Sequence, residues 1–123
     1  MKYYYSDYWT LKAREIAGKI GLGHVDFDRI AVIESKGSKA KRTIARIHSI
    51  GKVMQFGMQQ KSFYTIELIS EQFDRQSEEE QTKTLIHELM HIPKGFGGGF
   101  RHHKGHVTHK NVEAAYKKIK LNY

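Results

Sequence analysis

Apolar residues along the chain recur with two different periods, and these periods predict its secondary structure. Residues 7–21 repeat with the period of a helix and end at Gly21, a residue type common after helix C-termini. Residues 30–34 form a short apolar run typical of a buried strand, and residues 43–49 predict another strand. Residues 63–70 alternate between apolar and polar, as a half-buried strand does. The apolar face of the first helix consists of Trp9, Ala13, Ile16, Ala17 and Ile20.

Residues 78–92 carry the clearest helical signal in the chain. Ser77 and Glu80 have the spacing of a capping box, in which each side chain bonds the other residue's backbone at the start of a helix. Pro93 then ends the helix, because proline lacks the N–H group that a helix interior requires. Apolar residues at positions i, i+4 and i+7 predict a buried face made of Leu85, Leu89 and Ile92.

A glycine-rich segment, residues 95–99, follows this helix, and an amphipathic helix closes the chain. Residues 35–42 form a basic loop between the first two predicted strands. The order of a helix, strands and further helices favours one α+β domain over residues 1–123, with helices flanking the sheet. The apolar face of the closing helix consists of Val112, Ala115, Tyr116 and Ile119.

Composition limits both the compartment and the ligands of this protein. The chain has 123 residues and no cysteine, so a transition-metal site must use histidine and carboxylate side chains. Its N-terminus lacks the apolar core of a signal peptide, and no stretch approaches the roughly 20 apolar residues of a membrane span. We therefore expect a cytoplasmic protein without a membrane partner.

Residues 87–91 read H-E-x-x-H on the predicted helix. His87 and His91 are four residues apart, so their side chains leave the same helix face and can share one metal ion. Glu88 lies beside them without being a ligand. This arrangement is typical of Zn²⁺ held by neutral imidazoles, with the glutamate as general base for a zinc-bound water. The motif predicts one Zn²⁺ per chain and hydrolysis of peptide bonds.

A catalytic zinc ion takes three protein ligands, so the motif requires a third ligand further along the chain. Six of the eight histidines lie between residues 87 and 109, a crowding that favours this stretch as its source. Glu113 has an ordinary explanation as well, because it and Lys117 have the spacing of an i, i+4 ion pair. The spacing leaves open the choice among His103, His106, His102 and Glu113.

Two segments around the motif resemble the metallopeptidase family found in phages and archaea. Residues 87–93 read H-E-L-M-H-I-P, and residues 96–103 read F-G-G-G-F-R-H-H. The resemblance extends upstream to residues 45–48, A-R-I-H, and to Phe73-Asp74, so it covers most of the chain. By position, the family's last histidine falls on His103.

The resemblance implies a zincin-like fold with a short, mainly antiparallel sheet and a zinc site made of His87, His91 and His103. In this chain His102 stands where the family usually has proline. By analogy with zincins, the strand at residues 63–70 is expected to be the edge strand that pairs with an extended peptide or protein substrate. The groups considered for stabilising the oxyanion are Arg101, Tyr64, His106 and Tyr116.

The excess of basic residues in the chain also suits partners other than a peptide substrate. The formal net charge is +8, with clusters at residues 36–42 and 117–120 that suit either solubility or an acidic partner such as nucleic acid. Two alternatives to a peptidase follow: a nucleic-acid-associated protein with a structural histidine-rich zinc site, and a metal-dependent nuclease. The N-terminal aromatic residues are expected to pack the first helix onto the core rather than stack on bases; they are Tyr3, Tyr4, Tyr5, Tyr8 and Trp9. The sequence does not determine the oligomeric state.

Overall fold

Four strands form one mixed sheet at the centre of the fold. In the computed structural model, which describes residues 1–121 (of Leu121 the backbone alone), the strand order is β1-β2-β4-β3. The pairs β1–β2 and β3–β4 are antiparallel, and β2–β4 is parallel. The predicted α+β class with a mainly antiparallel sheet is therefore confirmed. The strands are β1 (Lys2–Tyr5), β2 (Ile30–Lys36), β3 (Ala45–Ser49) and β4 (Tyr64–Ile69).

Within residues 1–121, five helices accompany the sheet, and three of them begin at side-chain caps. The hydroxyl of Thr108 accepts a hydrogen bond from the backbone N–H of Asn111 at the start of the last helix. The side chain of Ser6 accepts a hydrogen bond from the backbone N–H of Trp9 at the start of the first helix. The predicted capping box is confirmed, because both reciprocal bonds between Ser77 and Glu80 are present. The helices are α1 (Asp7–Lys19), α2 (Lys52–Met58), α3 (Ser70–Phe73), α4 (Glu78–Met90) and α5 (His109–Leu121), and a 3₁₀ turn covers Phe27–Arg29.

The hydrophobic core lies between one face of the sheet and the helices α1, α4 and α5. Each of these helices contributes the apolar face that its period predicts, and the sheet contributes alternate residues of β2 and β4. Packing against the sheet holds α4 in a fixed orientation, so that its polar face is directed away from the core. The central core residues are Ile30, Val32, Tyr64, Ile66, Leu68, Ala13, Ile16, Leu85, Ile86, Leu89, Val112 and Ile119.

The expectation that residues 63–70 form an edge strand is wrong. β4 pairs with β2 on one side and with β3 on the other, so it is an interior strand, and the edge on that side of the sheet is β3. Its polar residue Glu67 is buried because β3 supplies a partner, His48, whose Nε2 lies 2.8 Å from the carboxylate. Burial opposes ionisation, but the bonds to His48 and Ser35 and the charge of Arg46 lower the pKa of Glu67.

Several elements depart from the sequence predictions. The strand β1 and the helices α2 and α3 were not predicted, because each is too short to show a period. The motif helix ends at Met90 rather than residue 92, and the first helix ends at Lys19 rather than residue 21. None of the helices in residues 1–121 is long and apolar enough to cross a membrane.

The packing expected of the N-terminal aromatic residues is correct only for Trp9. Its ring packs edge-to-face on Phe73, with 5.1 Å between the ring centroids. The tyrosines of this segment are exposed instead, three of them because β1 is an edge strand whose side chains lie at the margin of the sheet, and Tyr8 because it lies on the outer side of α1. These exposed residues are Tyr3, Tyr4, Tyr5 and Tyr8.

Candidate metal centre

The last turn of α4 presents the side chains of the H-E-x-x-H motif. The Nε2 atoms of His87 and His91 lie 3.4 Å apart, as the i, i+4 spacing on a helix requires. Burial of Leu85 and Leu89 on the opposite side of α4 fixes the rotation of the helix. Both histidines therefore face the same region of space without any contribution from the rest of the chain.

His103 completes a group of three histidines. Its ring centroid is 5.3 Å from that of His87 and 4.6 Å from that of His91. One ring nitrogen from each residue lies within 4.8 Å of the others, which is close enough for the three to hold one metal ion. Within residues 1–121, these three histidines are the group of potential metal ligands whose donor atoms lie this close together.

The segment that carries His103 to the helix is the glycine loop, which we define as residues 95–101. Two hydrogen bonds join its last residue to the end of α4: the N–H of Arg101 donates to the carbonyl of His91 at 2.7 Å, and the Nδ1 of His91 lies 2.8 Å from the carbonyl of Arg101. Because a carbonyl can only accept, Nδ1 of His91 carries the proton. Its Nε2 is then unprotonated and faces the centre, the form that binds a metal ion.

Tyr64 holds the glycine loop from the side of the sheet. Its hydroxyl accepts a hydrogen bond from the N–H of Gly98 at 3.0 Å and donates one to the carbonyl of Gly99 at 2.7 Å. The Tyr64 ring also packs against the rings of Phe96 and Phe100. This hydroxyl is engaged in positioning the loop, so Tyr64 is not available for the oxyanion role considered for it.

The last residue of β3 and the helix α2 fix the glycine loop at a second point. The Ser49 hydroxyl donates to the carbonyl of Gly98 at 2.5 Å, and the Gln55 amide donates to the carbonyl of Gly97 at 2.8 Å. Gly98 has a φ of +103°, and a Cβ atom there would collide with the carbonyl oxygen of Ile50 and the Gln55 amide. Only glycine fits this position, and the close approach is what allows the loop to return towards α4.

Burial controls the ionisation of the motif residues. Glu88 is 8% exposed, and desolvation raises the pKa of its carboxyl group to about 7. Desolvation, together with the neighbouring histidines, lowers the pKa values of His87 and His91. At neutral pH these two rings are therefore uncharged, as metal ligation requires.

A cleft of about 490 Å³ opens beside His87 and Glu88. It lies between α4, the start of α5 and the chain leading into β3, from Arg42 to Ala45. Lys83 of α4 also lines the cleft, and its ammonium group bonds the Glu113 carboxylate of α5 at 2.7 Å and the Glu79 carboxylate at 3.0 Å. The cleft is large enough to admit a few residues of an extended chain next to the motif.

The other third-ligand candidates lie outside the histidine group. His102 and His106 are exposed, and neither belongs to the set of converging ring nitrogens. Glu113 pairs with Lys83 across the cleft, and not with Lys117 as the i, i+4 spacing suggested. The ring of Tyr116 packs beneath the ammonium groups of Lys83 and Lys120, so it makes cation–π contacts at the helix surface.

Sequence reasoning missed the residues that position the third histidine. Ser49, Gln55 and Tyr64 are far from the motif in the chain, and no spacing connects them to it. The only available signal was the glycine run itself, which indicates a close approach of backbone to another group.

The comparison with protein families identifies the family of this chain. The profile of the family described as "Putative phage metallopeptidase" matches residues 1–119, which include every residue of the candidate metal centre. No significant match was found among curated proteins or among solved structures. The resemblance stated from the motif segments is thereby confirmed.

Proposed function

Because the chain belongs to the phage metallopeptidase family, we propose that it is a zinc-dependent peptidase whose metal ion is held by His87, His91 and His103. The observation that carries this proposal is the convergence of three ring nitrogens within 4.8 Å beside the buried carboxyl group of Glu88. A set of three imidazoles is a donor set that suits zinc and leaves a coordination position open.

Glu88 is the proposed proton carrier of the reaction. Zinc, when bound, polarises a carbonyl group and lowers the pKa of water towards neutrality. Glu88 accepts the proton that water releases as it attacks the peptide carbonyl, and it delivers this proton to the leaving amine. Burial raises the pKa of its carboxyl group to about 7 in the metal-free protein, and such a group near the working pH can take up and release a proton with similar ease.

The free edge of β3 is the proposed binding strand for an extended substrate. The N–H of Ile69 donates to the carbonyl of Ile44, and the N–H of Ile50 donates to that of Phe63, so alternate residues from 44 to 50 face β4. In an antiparallel pair the residues between them direct their N–H and C=O groups outwards. Ala45 and Ile47 therefore offer backbone bonds to a peptide beside the cleft, as β-strand addition in a zincin-like fold requires.

The arrangement favours hydrolysis over a structural zinc site. A structural site closes its coordination with four protein ligands, whereas three side chains converge in the part of the chain that is described here, residues 1–121. A buried glutamate adjacent to the ligands has no purpose in a structural site, since burying it without a partner is unfavourable. The peptide bond is preferred to the phosphodiester as substrate because an open strand edge binds extended peptides.

The test combines zinc content with peptide hydrolysis. Purified protein reconstituted with zinc should hold about one zinc ion per chain by mass spectrometry and should cleave an unfolded protein such as casein. The Glu88→Gln variant should keep its zinc and lose activity by a factor of roughly 10³, within the range for a general base. Glu78→Gln, an exposed substitution on the same helix, serves as the control and should change neither.

Absence of stoichiometric zinc would contradict the metal centre. Retention of zinc with full activity in Glu88→Gln would contradict the role of the glutamate while leaving the metal centre intact.

A further inference from the structure

The sheet has a second face that lies away from α1, α4 and α5, and its two edges carry exposed aromatic and cationic groups. Side chains alternate along a strand, so the residues between the core positions point to this face. The register places Tyr3 opposite Ser35 and Tyr5 opposite Ile33 on β2. At the other edge of the sheet, Arg46 stands opposite Glu67 on β4. We call the surface formed by Tyr3, Tyr5, Arg46 and His48 the tyrosine face.

The two tyrosines of this face are open to solvent. Tyr3 is 62% exposed and Tyr5 is 59% exposed. They are two residues apart on one strand, so their rings are spaced by about 7 Å on the same side of the sheet. Large aromatic side chains that remain outside the core offer flat surfaces for another ring to stack on.

The tyrosine face carries a cation at its far edge. Arg46 is exposed, and its guanidinium lies 4.0 Å from the Glu67 carboxylate, which is buried and bonded to His48. The chain that leaves β2 adds the exposed Lys39 and Lys41, whereas Lys36 lies over the ring of Tyr4 and Arg42 lines the cleft beside His87. With a formal net charge of +8 on the whole protein, the surface attracts a polyanion.

From the presence of exposed tyrosine rings and cations on one face of the sheet, we propose that the tyrosine face binds single-stranded nucleic acid. Bases stack on Tyr3 and Tyr5, while Arg46, Lys39 and Lys41 contact the phosphate backbone. A single strand fits better than a duplex, because its bases are free to leave their own stack and lie on aromatic rings. An acidic protein would use the cations but would have no comparable use for two exposed rings.

This site is separate from the metal centre. The core residues of β2 and β4 lie between the tyrosine face and α4, which carries His87 and His91. Binding of nucleic acid should therefore not require the metal ion, and a failure of this proposal would leave the peptidase proposal untouched.

The experiment measures binding of the full chain to fluorescent single strands of about 20 nucleotides, oligo-dT and oligo-U, by anisotropy at about 50 mM and about 200 mM salt. The Tyr3→Leu/Tyr5→Leu variant keeps apolar side chains on the strand but removes the rings, and it should bind about tenfold more weakly or worse. Tyr4→Leu, on the same strand but on its other face, is the matched control and should bind within about twofold of the unchanged protein. Tyr3→Phe/Tyr5→Phe keeps the rings and should retain binding.

The phosphate contacts have their own readout. Arg46→Gln should reduce the slope of log affinity against log salt by about 0.7, the change expected for one lost contact to a single strand. Lys118→Gln on α5 removes the same charge elsewhere and should leave the slope unchanged. Stronger binding of oligo-dT or of oligo-U would each support the proposal and would assign the strand as DNA or RNA.

Three outcomes would overturn the proposal. Tyr4→Leu could weaken binding as much as the double variant, a duplex of equal length could bind as tightly as the single strand, or polyglutamate could displace the oligonucleotide at equal charge. The last result would assign the surface to an acidic protein partner. A thermal melt of each variant confirms that a loss of binding is not a loss of fold.

Discussion

The candidate metal centre is assembled from two segments that reach it by different means. The helix α4 and the residue that follows it supply His87, Glu88 and His91 within one turn and a half, and a capping box at Ser77 starts the helix. The glycine loop returns His103 to the same point, and it has neither a helix nor a strand to hold its shape. Its conformation depends on partners that lie outside it, among them Tyr64 and the backbone of His91.

The difference between these segments shows how local and long-range interactions divide the work of building a site. The helix would place its two histidines together wherever it formed, because the i, i+4 spacing does so. The loop places His103 correctly only when the sheet and α4 are already assembled around it. Changes to the loop should therefore affect metal binding more than stability, and changes at the helix start should do the reverse.

The largest expected effect is the loss of the loop ligand. The His103→Ala variant should bind zinc on the order of a thousandfold more weakly, because only three proposed ligands share the free energy of zinc binding. Competition with a chelating dye measures this affinity. His106→Ala, an equally exposed histidine three residues further on, is the matched control and should bind zinc as the unchanged protein does. If both variants lost zinc affinity to the same extent, His103 would not be the third ligand.

The second effect concerns the burial of Glu88 and its dependence on pH in the metal-free protein. Burial raises the pKa of Glu88 to about 7, above its ordinary value of 4.5, so the folded state holds this proton more tightly than the unfolded state. The contribution of Glu88 to stability is therefore fully present below the unfolded pKa and is lost as pH rises through about 7. Glutamine stays uncharged throughout and avoids this loss.

The measurement for Glu88 is urea unfolding of the metal-free protein and of its Glu88→Gln variant. The variant should be more stable by about 3 kcal/mol near pH 8 and by less than about 1 kcal/mol near pH 5. Comparing the two proteins at each pH removes the opposing effect of His87 and His91, whose lowered pKa values destabilise both as pH falls. A difference that does not change with pH would show that the carboxylate is solvated.

An intermediate effect should follow from closing the space at Gly98. Gly98→Ala forces the loop away from Ile50 and strains a φ of +103°, so His103 shifts from the other ligands. Zinc affinity should fall about 10–100-fold, the loss typical of a disturbed supporting contact around a metal ligand. Gly99→Ala is the control, because a Cβ there meets no atom within 4 Å. A pronounced loss in the control would mean that general loop entropy, rather than the close approach at Gly98, governs His103.

The smallest effect belongs to the start of the helix. Ser77→Ala removes the hydroxyl that caps α4 and should lower the free energy of unfolding by about 1 kcal/mol. Zinc affinity of the folded protein should not change, because His87 lies about ten residues downstream in a helix that still forms. Thermal unfolding measures the first quantity and dye competition the second. A change in zinc affinity larger than the change in stability would contradict the division between helix and loop.

The elements that sequence reasoning located well are those with a long period or a clear cap. The helices α1, α4 and α5 and their buried faces follow from apolar spacing alone, and the capping box located the start of α4 to the residue. Short elements such as β1 and α2 were not predicted, because four to seven residues do not establish a period. The exposure of the N-terminal tyrosines was not predicted either, since composition does not tell an edge strand from a packed one.

The sequence by itself determined the fold class, the motif helix and the proximity of His87, Glu88 and His91, because these depend on interactions between residues close in the chain. Tertiary structure alone decided that β4 lies inside the sheet. Residue spacing left the third ligand open, the family resemblance pointed to His103, and the folded loop brings that histidine to His87 and His91. Tertiary structure also decided that Tyr64 serves the glycine loop instead of the reaction. Strand order and loop anchoring depend on contacts between segments dozens of residues apart, and no local pattern encodes which of several distant partners will meet.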